Sequence, residues 1–428
     1  MNGVNVISHD DGVNIVNAIK RMTDVIGKGQ QKAGTIYGFN VSGSVVDPAS
    51  KITYLRDAVG MTKAYMDFSS RVFNYGSWKD AFFQPKPCML GYDGHVLYYL
   101  DPNDYSKKSD GTPSDIANDS FEGNAMMEFP KIYWKVEPTE DGKGANIYIA
   151  DYAPDDGFHC WCNIDKDGNE KEHFYMAIYQ GCTINGKMRS VSGKVYTSYT
   201  RNTTAQAEIN LASANGNGWY ISQYADILLV DYLSMLMFKS TNIQNVLGRG
   251  NADNSYDESY TLPTGSLDNK GLFWGTNNGA WNSADAGIKL FGIENYYGNK
   301  WKRLAGLIND NGNIKYKLTR GTSDGSTATD YNLDGSGYIS SGVTPAGTNG
   351  GYINEMKFSA DGSMLPKTAS GSDSTHYCDG LWFNNAQNNF ALFGGYLDNR
   401  SRVGCSSSNL NAAAGTADGY FGASLSYK

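Results

Sequence analysis

Proline, cysteine and histidine are all scarce in this 428-residue chain, at 11, 6 and 5 residues. Six cysteines (Cys88, Cys160, Cys162, Cys182, Cys378, Cys405) over this length exclude a disulfide-dependent scaffold and point to cytosolic assembly with free thiols. The histidines are scattered at His9, His95, His159, His173 and His376, and no Gly-x-Ser-x-Gly elbow accompanies them, so no nucleophile–base pair is visible. Charge is low as well: 19% of residues, net −8, with no Lys/Arg run, which argues against a nucleic-acid binder that works by neutralising phosphates. Long apolar runs are absent. The longest, from Ile227 to Phe238, contains Asp231 and is too short to cross a bilayer, so no membrane insertion is expected. The first residues, with His9, Asp10 and Asp11 ahead of any apolar run, carry no signal-peptide pattern.

What is abundant is aromatic and small. The chain holds 30 Tyr, 8 Trp and 50 Gly, with many Asn and Ser between them. That composition predicts short strands, tight turns and structured loops. Recognition loops use the same mixture, because Tyr gives rigid contact area and small polar residues give adaptable hydrogen bonds. It is equally the composition of a β-rich core.

Ile15, Ile19, Met22 and Ile26 form a short apolar stripe stopped by Gly27 and Gly29, readable as an amphipathic helix packed on its own chain or as a seam between identical chains. Strands are expected over 35–47 and 96–100. The polar tract 101–119 reads as a linker or surface loop, and a domain boundary is placed there: an attachment and oligomerisation region over 1–115, a ligand-binding domain over 116–428. Beyond it, 127–136 and 146–150 read as a hairpin, with further strands over 173–182 and 188–195. Tyr220 to Phe238 carries apolar residues on every side and predicts a buried helix. Residues 240–290 read as loops, and strands near 312–319 and 352–358 lead to the closing segment.

Chemistry-bearing clusters are few. Cys160-Trp161-Cys162 beside His159 lacks the second pair that a closed zinc site needs, and reads as buried thiols. Asp330 to Gly335 opens like a calcium loop, but Ser341 stands where a bidentate Glu is required. No cofactor and no metal is expected.

The closing segment carries the strongest signal. In it, fixed-looking pieces (Trp382, Gly394-Gly395, Gly404, Leu425, Tyr427) alternate with small polar and lone odd residues. Together with Gly218-Trp219-Tyr220-Ile221, the long helix, and Gly292-Ile293-Glu294-Asn295 with Trp301, this resembles the C-type-lectin-type fold of the formylglycine-generating subclass. More narrowly it resembles variable proteins of diversity-generating retroelements, especially tail receptor-binding proteins of phages of gut bacteria. The resemblance implies an α+β chain: a C-type-lectin-like C-terminal domain, preceded by an N-terminal β-rich accessory region. It implies no enzyme, since the catalytic cysteine pair of the formylglycine-generating enzymes has no clear counterpart and the calcium motifs of animal lectins are missing.

In that family the 3′ end of the gene is rewritten at adenines, so the segment 380–428 is hypervariable. Carried over by position, the resemblance makes Arg400, Ser401, Arg402, Cys405, Ser406, Ser408, Asn409, Asn411, Thr416, Asp418 and Tyr420 ligand-binding. A second rank comprises Asn384, Asn385, Gln387, Asn388 and Asn389. The partners implied are a bacterial cell-surface receptor, protein or glycan, and other phage tail proteins. Avidity from several copies motivates a homotrimer. The implied location is the virion tail, after synthesis in the host cytoplasm; a bacterial surface adhesin and a glycan-acting or formylglycine-generating enzyme are the rival readings.

Overall fold

The computed structural model describes residues 34–196, 203–276, 286–319 and 337–428. The apolar stripe of 15–26 and the loop Asp330 to Gly335 lie outside these residues. The protein is α+β, mostly strand with few helices, an arrangement consistent with a C-type-lectin-like fold.

Three sheets dominate the described residues. A four-stranded sheet runs in the order Ile52–Arg56, Ile36–Val41, Ala145–Ala150, Tyr133–Pro138. A seven-stranded sheet runs Trp219–Ile221, Leu425–Tyr427, His173–Ala177, Gly123–Pro130, Lys86–Gly91, Val96–Asp101, Asp104–Lys108. The third is centred on the long strand Trp301–Asp310, flanked by Asn313–Tyr316 and Ile339–Val343 on one side. On its other side follow Asn389–Phe393, Ser408–Ala412, Gly380–Phe383 and Thr348–Tyr352.

The boundary expected near residue 115 is not a break in the described structure. Lys86–Gly91 pairs along its whole length with Gly123–Pro130, and Ile36–Val41 pairs with Ala145–Ala150. One apolar core also runs from Phe39 and Trp78 through to Leu410. The polar tract 101–119 is mostly exposed but is no linker: it contains the edge strand Asp104–Lys108, buries Tyr105 and Ile116, and the strands on either side of it meet. Tract polarity reports exposure to water, whereas a domain boundary requires that few contacts cross it.

Tyr224–Phe238 is the helix around which that core is built, and all fifteen of its residues are buried. Its first turn is tied to the end of the chain. The Asp226 carboxylate accepts from the Gln223 backbone N–H (3.2 Å) and the Ser426 hydroxyl (3.0 Å), and pairs with the Lys428 ammonium (3.0 Å). An acid in the first turn also complements the helix dipole. The helix starts later than expected because Trp219–Ile221 is a strand, paired with the closing strand Leu425–Tyr427. A second helix, Ala205–Ser213, and a short one, Ile243–Leu247, fall where the sequence predicted neither.

Alternation along the third sheet separates two faces. Leu304, Leu381, Phe383, Phe393 and Leu410 point into the core around the helix. Trp301, Phe390 and Leu392 face the other way, where Trp382 packs against them and the returning stretch with Tyr420 and Phe421 joins the cluster.

Candidate functional site

The third sheet fixes the backbone from which the closing segment projects. Leu381, Trp382 and Phe383 pair in parallel with Ser408, Asn409 and Leu410, and Leu392 and Phe393 pair with Asn409 and Ser408 from the other side. Asn409 therefore stands beside Trp382 on the outward face.

Trp382, one of the fixed-looking pieces, is only partly buried. Its indole meets Trp301 edge-on (5.1 Å between centroids, 86°) and lies over two glycines. A Cβ at Gly380 would sit 2.6 Å from the ring and 2.8 Å from the Cβ of Arg402; one at Gly350, where φ is +82°, would sit 3.0 Å from the ring. The missing side chains are what let the indole lie flat there.

Arg400–Arg402 forms one turn of 3-10 helix against this floor. The Arg400 N–H donates to the Ala252 carbonyl (2.8 Å), and Gln244 Nε2 donates to the Ser401 carbonyl (3.1 Å). Arg402 Nε donates to the Gly350 carbonyl (2.6 Å), with its guanidinium 5.0 Å from the centre of the Tyr352 ring. The hydroxyls of Tyr352 and Ser401 are 2.6 Å apart. Arg400 is exposed, and Ser401 and Arg402 are half-buried. The backbone is held while the side-chain ends reach solvent.

Two residues on, the environment reverses. Cys405 is buried, and its thiol is pushed up by burial and by the neighbouring Asp231 and Asp379 carboxyls. Such surroundings keep it a thiol rather than a nucleophilic thiolate. The Ser406 hydroxyl donates to Asp231, and its N–H donates to Asp379 (2.8 Å). Burial raises the Asp231 carboxyl to about 7, and burial together with the Asp231 charge holds the Asp379 carboxyl well above the usual carboxylate range. Ser406 and Ser408 line a cavity of about 40 Å³ with Asp231, Cys405 and apolar side chains. It has room for a water or two and for no substrate. A larger open cleft of about 910 Å³ lies elsewhere, between loops 40–44 and 139–143.

The remaining predicted positions separate the same way. Asn411 is exposed, and Asn409, Thr416 and Asp418 are half-buried. The Thr416 carbonyl accepts from Arg303, whose guanidinium is fully buried in an ion pair with Glu208. Tyr420 is nearly covered, its ring 3.8 Å from that of Tyr256 and 4.5 Å from that of Tyr396. Asn385, Gln387 and Asn388 occupy an exposed turn with the half-buried Asn384, whereas Asn389 is fully buried and donates to the Leu410 carbonyl (3.2 Å). Burial thus withdraws Cys405 and Asn389 from any surface contact, correcting the expectation for both. Composition could not separate them from their polar neighbours.

Three residues at this face escaped the sequence reading. Tyr352 and Gly350 come from the edge strand Thr348–Tyr352 and carry no signal of their own. Tyr256, 59% exposed, is a lone aromatic in the polar run Asn254-Ser255-Tyr256-Asp257, and that contrast could have singled it out.

Elsewhere, Cys162 donates to the Ala225 carbonyl (3.2 Å), and His159 stacks on Trp161 (4.4 Å). Among the described residues, no group of three or more His, Cys, Asp or Glu side chains is placed to hold a metal ion. No helix among them is long and apolar enough to cross a membrane.

No family model matches the chain, and no curated protein matches it. Among solved structures it is similar to the Major Tropism Determinant U1 variant (TM-score 0.28, 11% identity, covering 93% of this chain and 73% of that one). It is also similar to PvdO from Pseudomonas aeruginosa (TM-score 0.27, 11% identity, covering 72% of this chain and 96% of that one). Likenesses this remote carry no argument about function.

Proposed function

We propose that this chain is a receptor-binding protein that recognises a bacterial cell surface through the outward face around Arg400–Arg402, by binding without chemistry. The observation that carries the reading is the combination at that turn: a backbone hydrogen-bonded to Ala252 and Gln244, and side-chain ends that reach solvent over Trp382 and Tyr352. Arg, Tyr and Trp on a rigid support are the side chains that dominate recognition surfaces. The resemblance of the closing segment to retroelement-diversified tail proteins supports a place on a phage tail, joined to other tail proteins. It also supports sequence variation at the exposed positions.

Replacing Arg400, Ser401 and Arg402 together should change which cells the protein adsorbs to while leaving the fold intact. Unchanged adsorption would contradict the reading. A near-copy of the 3′ end of the gene, differing at adenines and lying beside a reverse transcriptase gene, is expected in the surrounding DNA. Assembly as a homotrimer follows from the same reading, because modest single sites gain avidity when several act together. Sedimentation as a monomer at micromolar concentration would exclude it.

A further inference from the structure

The unused capacity of Arg402 points to the class of ligand. Its Nε is bound to Gly350 and its guanidinium plane is held near Tyr352, but its two terminal nitrogens make no hydrogen bond. Among the described residues no carboxylate lies within ion-pair distance of Arg400 or Arg402, although the chain as a whole is net −8. Arg303 in the same sheet shows the contrast: its guanidinium is paired with Glu208 and capped by the Thr416 carbonyl. Arg400 acts on the nearby Asp398 carboxyl, so Arg402 is the cation on this turn that no acid offsets. A planar guanidinium presenting two parallel N–H groups is matched by a carboxylate, which it binds bidentately.

Beside this cation lies the partly exposed Trp382 indole, with Asn409 paired next to it in the sheet and the bonded Ser401 and Tyr352 hydroxyls at the same turn. A flat apolar ring edged by small hydrogen-bonding groups suits the faces and hydroxyls of a pyranose. The negative charge of the rest of the chain disfavours a densely charged polyphosphate and tolerates a polymer with one acid per sugar. We infer that the Arg400–Arg402 face binds a uronic-acid-bearing polysaccharide, its carboxylate on Arg402 and a sugar ring on Trp382. This rests on the receptor-binding reading and names the ligand for it.

The test uses the full chain with oligogalacturonate and its carboxyl-reduced, neutral counterpart, by calorimetry. Binding of the acid form alone is expected, weakening as salt rises from about 0.05 M to about 0.5 M. Arg402→Ala should weaken it roughly 10- to 100-fold, and Arg402→Lys, which keeps charge but loses the fork, nearly as much. Arg400→Ala, at an exposed position with no packing role, should weaken it less, with an unchanged melting curve. Equal binding of the two polymers, no binding of either, or indifference to both Arg402 variants overturns the inference. Should cells still be adsorbed in an Arg400–Arg402-dependent way while neither polymer binds, the inference fails and the receptor-binding reading stands. If adsorption ignores the turn altogether, that reading fails.

Discussion

Arg400–Arg402 and Cys405–Ser407 are separated by two residues within one stretch of mostly small and polar residues, yet they occupy opposite environments. The first turn rests on the sheet with its side-chain ends in solvent. In the second, Cys405 and Ser407 are buried, and Ser406 joins the display segment to two acids of the core, Asp231 from the long helix and Asp379. Adjacent residues of similar polarity therefore do different work. One group is free to meet a ligand, and the other holds that group in place.

The largest expected effect comes from the buried arginine beneath this segment. Glu208→Ala leaves the buried Arg303 guanidinium without its carboxylate, with only the Thr416 carbonyl to accept from it, and should cost about 3–5 kcal/mol in urea unfolding. A loss under about 1 kcal/mol would mean that the returning stretch 413–418 is not anchored there.

Gly380→Ala forces a methyl against both the Trp382 ring and Arg402, and should cost about 1–3 kcal/mol. Because the same clash displaces the presented side chains, ligand binding should fall as well. A stable variant with unchanged binding would show that the floor does not need the close approach.

Ser406→Ala leaves Asp231 without its hydroxyl donor and should cost about 1–3 kcal/mol. The same acid predicts a pH dependence. In the native state Asp231 keeps its proton up to about pH 7, whereas an unfolded Asp loses it near 4. The unfolded state binds fewer protons in that window, so stability falls as pH rises from about 4 to about 7 and is level above. Asp379 acts with the same sign. Thermal melts of Asp231→Asn should lose part of that slope; an identical slope would show that Asp231 is ionised in the native state.

How much of this could be read beforehand differs by element. The long helix was legible because apolar residues surround it, and the closing strand because Leu425 and Tyr427 frame it. The start of the helix was not, since Trp219–Ile221 becomes a strand only by pairing with the far end of the chain. Ala205–Ser213 was missed because its few apolar residues make no strong stripe, although Thr204 caps it through a bond to the Ala207 N–H. The candidate face was legible as a segment and illegible as a surface. Nothing local tells Cys405 from Ser401, because the acids that bury one and the tyrosine that flanks the other come from distant elements.

The smallest expected effect on stability is also the most direct test. The combined replacement Arg400→Ser, Ser401→Asn and Arg402→Ser should alter adsorption to cells while unfolding shifts by only about 1 kcal/mol, because the backbone bonds to Ala252 and Gln244 survive and only the half-buried side-chain bonds to Gly350 and Tyr352 are lost. A large loss of stability, or unchanged adsorption, would contradict the division between a presented turn and the clamped residues behind it.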